Sequence, residues 1–176
     1  MFVGAYWSQR QESREESAKR IVLCLSLLKS QSELFAEWFM KARTKAAAFE
    51  NPLSIDLDTV ASTLRVDRRD VGGEAMPELG FSLSVWNGKN ASFTATVGVY
   101  SPYVRNAVLL SFDESPTTFS ADDWKALLEA MIRAFEPDHA VVTSHEHLDR
   151  VGAEAPWESG WFTYQRGGEI QEGPFE

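Results

Sequence analysis

Cysteine is almost missing from this chain: Cys24 stands alone among 176 residues. One thiol cannot close an intrachain disulfide. Cys24 lies inside an apolar helical pattern, where a free cysteine behaves as a small buried hydrophobe. Positive charge is also scarce, with 17 Lys and Arg against 26 Asp and Glu, a formal net charge of −9 and a pI of about 4.9. Nucleic-acid binders present a basic face, so DNA or RNA is not the expected ligand. An acidic surface favours a basic partner and speeds that encounter, and its simplest use is to keep a protein soluble. Long apolar runs are lacking too. The opening MFVGAYWSQRQESREE has no basic start followed by an apolar stretch, so neither a signal peptide nor a membrane span is expected, and the setting reads as cytoplasmic. Asn90-Ala91-Ser92 matches a glycosylation sequon, which has no meaning without secretion.

Catalytic signatures are equally thin. In Arg68-Arg69-Asp70-Val71-Gly72-Gly73-Glu74, the glycines lead toward a strand and an acid. A phosphate loop needs spaced glycines, then Lys and Ser/Thr opening a helix, and a dinucleotide fingerprint needs a strand-to-helix join. The stretch therefore reads as a turn whose Gly pair supplies unusual backbone angles, with charges that serve shape or recognition. The serine-hydrolase elbow fails at Gly80-Phe81-Ser82-Leu83-Ser84, which lacks the second glycine and lies within a strand. His145-Glu146-His147-Leu148-Asp149 misses the zinc-protease helix motif by placing aspartate at the second histidine position. On an extended segment, His145 and His147 would point the same way and could share a metal, with Asp149 or His139 as a distant third ligand. The alternative is a pair of solvent-facing loop histidines. No cofactor is expected.

Hydrophobic residues make up 44% and aromatics 12%, enough for one packed domain over residues 1–176. Phe2 to Trp7 reads as a strand. Ala18, Ile21, Val22, Leu25 and Leu28 recur at helical spacing over about Ser13 to Lys29. Ser32 is placed to cap a second helix with Phe35, Trp38, Phe39 and Ala42 on one face. After the break at Asn51-Pro52, Asp56 can cap a short third helix bearing Leu57, Val60, Ala61 and Leu64. Phe81, Leu83 and Val85 alternate with Ser82, Ser84 and Trp86. Asn87-Gly88 signals a turn, and alternation resumes through Phe93, Ala95, Val97 and Val99, so the pattern predicts a β-hairpin with one apolar and one wet face. A strand follows at about Ala107 to Phe112. Ser120 and Asp123 open a helix whose stripe is Trp124, Leu127, Leu128, Met131 and Phe135. Ala140 to Thr143 and Gly160 to Gln165 read as the last strands, and the tail from about residue 167 reads as loose. The expected fold is α+β: a mostly antiparallel sheet of about five to six strands, helices packed on one face, and three helices inserted after the first strand.

What chemistry does not claim, recognition can. Trp86 falls on the polar face of the hairpin among serines and threonines. Tyr100, Ser101, Pro102 and Tyr103 follow at the end of the next strand. An aromatic on a wet face is an interface anchor, unless another element of the same chain covers it.

The segments Ala5 to Trp7, Arg68 to Gly88 ("RRDVGGE…ELGFSLSVWNG"), Val97 to Leu110 ("VGVYSPYVRNAVLL") and Gly160 to Tyr164 ("GWFTY"), in that order, resemble the immunity protein 52 family. These are small antidotes carried beside bacterial polymorphic toxins. The resemblance implies a non-enzymatic cytoplasmic protein that binds and neutralises a cognate toxin. It implies a toxin that is often a nuclease with a restriction-endonuclease-like core, delivered by a contact-dependent route such as type VI secretion. The His145-Glu146-His147 segment and the acidic tail depart from the family pattern. On this reading Trp86, Asp70 and Glu74 form a toxin-facing surface that Tyr100 and Tyr103 extend. The competing readings are a small metal-dependent enzyme built on His145 and His147, and an adaptor for a secreted cargo. The sequence does not determine the oligomeric state.

Overall fold

A computed structural model describes residues 1–66, 74–113 and 119–173. Its described strands are β1 (Phe2–Trp7), β2 (Phe39–Met40), β3 (Phe81–Trp86), β4 (Ala91–Val97), β5 (Asn106–Phe112), β6 (His139–Thr143), β7 (Phe162–Gln165) and β8 (Gln171–Glu172). They join one sheet in the order β2-β3-β4-β5-β1-β6-β7-β8, and every named pairing is antiparallel. The described helices are α1 (Arg14–Gln31), α2 (Lys45–Phe49), α3 (Leu57–Thr63), α4 (Ala121–Phe135) and α5 (His145–Val151). The α+β class, the antiparallel sheet and the hairpin match the sequence reading. The sheet is wider than the five to six strands expected.

The first strand is central. β1 pairs with β5 on one side and β6 on the other, and all six of its residues are buried. Val3, Ala5 and Trp7 face a large core closed by α1, α3 and α4, where Ile21, Leu25, Leu28, Leu127, Met131 and Phe135 are buried. Trp7 stacks on Phe135 with ring centroids 5.4 Å apart. Phe2 and Tyr6 face the opposite way and pack with Val141 beneath Leu148 and Trp157. Helices therefore do not occupy one face alone, as expected, because a strand apolar on both sides needs cover on both.

The helix ends follow local chemistry. Ser13 and Glu16 form a complete capping box at α1, and Ser120 with Asp123 does the same at α4. Asp56 caps α3 by accepting from the Thr59 N–H at 2.8 Å. Gly80, at φ +69°, enters β3 so close to β4 that a Cβ there would fall 2.2 Å from the Val97 carbonyl. No residue with a Cβ can occupy that turn without moving a strand.

Two expectations failed because pairing across the sheet outweighed local pattern. The helix expected after Ser32 is a single 3-10 turn, Glu33–Phe35, which Ser32 still caps through the Leu34 N–H. Phe39 and Met40 then run as β2 against Trp86 and Val85. The Met40 N–H donates to Asn51 O at 2.9 Å, and the Leu53 N–H to Trp38 O at 2.8 Å. Phe35 and Trp38 share no helix face, yet both are buried, stacked 6.1 Å apart. Among the described residues three α-helices do lie between β1 and β3, but the middle one is Lys45–Phe49, capped by Thr44. Within the tail from about residue 167, β8 pairs with β7, and the Gly173 N–H donates to Trp161 O at 2.8 Å.

Three arginines close the C-terminal end of α4. Arg20 Nη1 donates to Ala134 O at 3.0 Å, Arg10 Nη2 to Phe135 O at 2.8 Å, and Arg166 to Glu136 O. Cations here satisfy orphan carbonyls and oppose the helix dipole. Glu136 turns the chain at φ +47°. Hydrogen bonding from Arg20, then its charge, holds the Glu136 carboxyl below its ordinary value. Asp138 accepts from the Ser8 N–H and hydroxyl, both at 2.7 Å, and lies 3.3 Å from Arg166. Burial works against its ionisation. The Ser8 bonds and Arg166 outweigh that and lower its pKa.

A depressed carboxylate pKa contributes stability above its unfolded value, near 4, and loses it as pH falls through the folded value. Asp138→Asn is therefore expected to cost about 1 kcal/mol at neutral pH and nothing once the carboxyl is protonated. Thermal melts of both proteins from neutral pH down to about pH 2.5 should converge at the acid end.

Candidate functional site

The second face of the sheet divides into two halves. Over β1 and β6 it is roofed by α5 and the segment carrying Trp157. Over β3, β4 and β5 its side chains stay half-exposed: Ser82, Ser84 and Trp86, then Ser92, Thr94 and Thr96, then Ala107, Leu109 and Ser111. The opposite face of the same strands is buried, as the alternation predicts. Ser84 Oγ and Thr94 Oγ1 pair across the strands at 3.0 Å. This flat, hydroxyl-rich half is suited to meeting another macromolecule rather than to enclosing a small one.

The predicted contact residues do not form one patch. β3 ends at Trp86 and β4 returns from Ala91, so Trp86 marks the turn end of the hairpin. Tyr100 and Tyr103 lie beyond its other end, roughly 20 Å of strand away. Trp86 is half-covered by its own chain. Phe49 meets it edge-on at 5.4 Å, Lys45 Nζ lies 5.6 Å from its ring centroid, and its indole N–H donates to Lys89 O at 3.2 Å. Glu74 is exposed, just ahead of the 3-10 turn Pro77–Leu79. Arg68, Arg69, Asp70, Val71, Gly72 and Gly73 lie outside the described residues.

Tyr103 is the most exposed large hydrophobic side chain described, at 94%, on a loop held by hydrogen bonds. The Glu78 carbonyl accepts from both the Tyr100 and Ser101 N–H groups at 3.0 Å. Ser101 is buried, and its hydroxyl accepts from the Tyr103 N–H at 3.3 Å. Asn106, fully buried, accepts from the Val99 N–H at 2.8 Å and donates to Ser8 O at 2.8 Å and Val99 O at 3.0 Å. A rigid aromatic held in solvent loses little entropy when a partner closes over it. Beyond it, the Arg105 guanidinium stacks 5.0 Å from the Trp157 ring centroid. Trp157 in turn packs on His139 at 5.4 Å and Tyr6 at 5.0 Å. Neither Asn106 nor Trp157 is conspicuous in sequence, since nothing periodic marks them.

The histidines are not on an extended segment. Ser144 caps α5, so His145 and His147 stand two apart on a helix and face different ways. His145 packs on Phe2 with ring centroids 5.0 Å apart. His147 is buried, with Nδ1 3.1 Å from Arg150 Nη2 and Nε2 2.9 Å from Ser159 Oγ. A guanidinium only donates, so Nδ1 accepts and Nε2 carries the proton toward Ser159. Among the described residues no group of three His, Cys, Asp or Glu side chains is arranged to hold a metal. Cys24 is fully buried, and burial pushes its thiol pKa up. Ser82 lies within β3, not at an elbow.

A family model described as immunity protein 52 matches residues 1–171, from before β1 into β8. No curated protein matches the chain.

Asn106→Ala would strand the buried Val99 N–H and take the amide donor from Ser8 O at the root of the Tyr103 loop, while Val99 O keeps the Arg10 N–H at 2.8 Å. Its expected cost is about 3 kcal/mol, measured by urea unfolding. The Val99 amide should exchange with solvent faster in the variant under native conditions.

Proposed function

Because the chain belongs to the immunity protein 52 family, we propose that it neutralises a toxin by binding it and changes no covalent bond. The family match over residues 1–171 carries this reading. The docking surface we assign is the half-exposed hairpin face together with the Tyr103 loop, with Tyr100 and Glu74 beside it and Trp86 at the far end. Interfaces need rigid aromatic anchors ringed by polar groups. A fully exposed tyrosine on a hydrogen-bonded loop, next to rows of serine and threonine, supplies that combination.

The toxin in this proposal is a nuclease with a restriction-endonuclease-like core, delivered by a contact-dependent route such as type VI secretion. A nuclease groove is basic because its substrate is phosphate. A chain of net charge −9 is attracted to it and associates quickly, while the aromatic contacts hold the complex. Such an antidote acts in the bacterial cytoplasm. No helix among the described residues is long and apolar enough to cross a membrane.

Tyr103→Ala removes a side chain that supports nothing in the fold, so the melting temperature should stay within about 1 °C of wild type. Affinity for the toxin should drop at least ~30-fold, equivalent to about 2 kcal/mol at an interface anchor. Titration calorimetry and survival on co-expression measure it. Undiminished affinity would remove the loop from the interface.

A further inference from the structure

Two grooves run along the outer edge of β3 and share one residue, Lys41. The first, about 250 Å³, is lined by Lys41, Thr63, Arg65, Ser84 and Thr94, among others. The second, about 230 Å³, is lined by Lys41, Ala42, Thr44, Lys45, Ala48 and Trp86. Arg65 is tied to the strand: its N–H donates to Ser82 O at 3.0 Å, and its carbonyl accepts from the Ser82 N–H at 2.9 Å. The trough therefore follows β3 from Trp86 to Ser82. Among the described residues no carboxylate lines either groove. Lys41, Lys45 and Arg65 are exposed, and none forms an ion pair among the described residues. In a chain with 17 cations and 26 acids, three cations with no ion pair among the described residues make the described lining of this trough cationic.

We propose that this trough is a docking site for a short, extended acidic segment of a partner protein. It spans five residues of β3, roughly 16 Å, which suits about five extended residues of ligand. Arg65 offers a carboxylate two parallel donors, and the lysines act as point charges. The Ser84 and Thr94 hydroxyls line the floor, and Trp86 presents an aromatic wall beside Lys45. A long polyanion would be repelled by the rest of the molecule, whereas a few carboxylates on an otherwise basic protein are not. Placing the segment on the toxin rests on the proposed function, and makes the contact bipolar: acidic over most of the antidote, cationic along β3.

Fluorescence anisotropy with a labelled peptide of alternating Glu and Thr tests the site, against a Gln–Thr peptide and a single-stranded oligonucleotide of equal charge. The full chain should bind the Glu peptide at least tenfold more tightly than either control at low salt. Lys41→Glu with Arg65→Glu should erase that preference. Lys19→Glu with Arg133→Glu, on the helical side, should change it less than twofold. Equal binding of the Gln peptide, tighter binding of the oligonucleotide, or indifference to the Lys41/Arg65 change would overturn the site. Capture of the neighbouring gene's product separates the two readings. If wild type captures it and Lys41→Glu/Arg65→Glu captures it equally well, the acidic segment is not on the toxin. If wild type captures nothing while the Glu peptide binds as expected, the trough stands and the toxin-binding function falls.

Discussion

Burial of both faces of β1 is the constraint on which the rest of the molecule depends. Val3, Ala5 and Trp7 need the α1–α4 layer, and Phe2 and Tyr6 need the roof of Leu148 and Trp157. A strand so placed cannot be an edge, so β5 and β6 flank it and the remaining strands extend outward from there. The charged ring at the end of α4 locks this centre. Arg10, Arg20 and Arg166 reach the same helix end from the loop after β1, from α1 and from the end of β7. The pairs with an exposed partner, at Glu136 and Arg166, contribute little singly. Joined to helix carbonyls and to each other through Glu12, Glu136 and Asp138, they fix how the two layers meet.

The roof over the second face is narrow, and that asymmetry creates the candidate interface. α5 and Trp157 cover β1 and β6, while the hairpin strands keep a serine and threonine surface toward solvent. The hairpin separates two different kinds of feature. At one end stands a rigid loop with Tyr103 in the open. At the other, Trp86 lies under Phe49 and beside Lys45, within a cationic trough. Net charge alone suggests that the chain turns a uniformly acidic surface to its partner. The side chains around β3 show that the charge is unevenly spread, and uneven charge orients an encounter as well as accelerating it.

Local signals were legible where local physics decides. Asp56 and Ser120 cap the helices expected of them, and the stripe Trp124, Leu127, Leu128, Met131 and Phe135 is buried as its spacing requires. The alternation around Asn87-Gly88 is the hairpin, because a two-residue period admits one wet face. The segment from Phe35 to Ala42 misled for an equally physical reason. Aromatics at helical spacing are also good strand formers, and here main-chain bonds to residues 51 and 85–86 outweighed the helical pattern. His145 and His147 misled similarly, since a Ser144 cap turned an extended reading into a helix.

From the sequence alone came the class of the fold, the wet face of the hairpin, the single cysteine that cannot close an intrachain disulfide and the resemblance that the family match bears out. Each rests on spacing or residue type, which survive without coordinates. Tertiary structure alone decided that Tyr103 is exposed and Trp86 half-covered, that His147 turns inward, and that Lys41, Lys45 and Arg65 gather along one strand. Those facts depend on which distant segments become neighbours, and strand pairing across tens of residues leaves no trace in local periodicity.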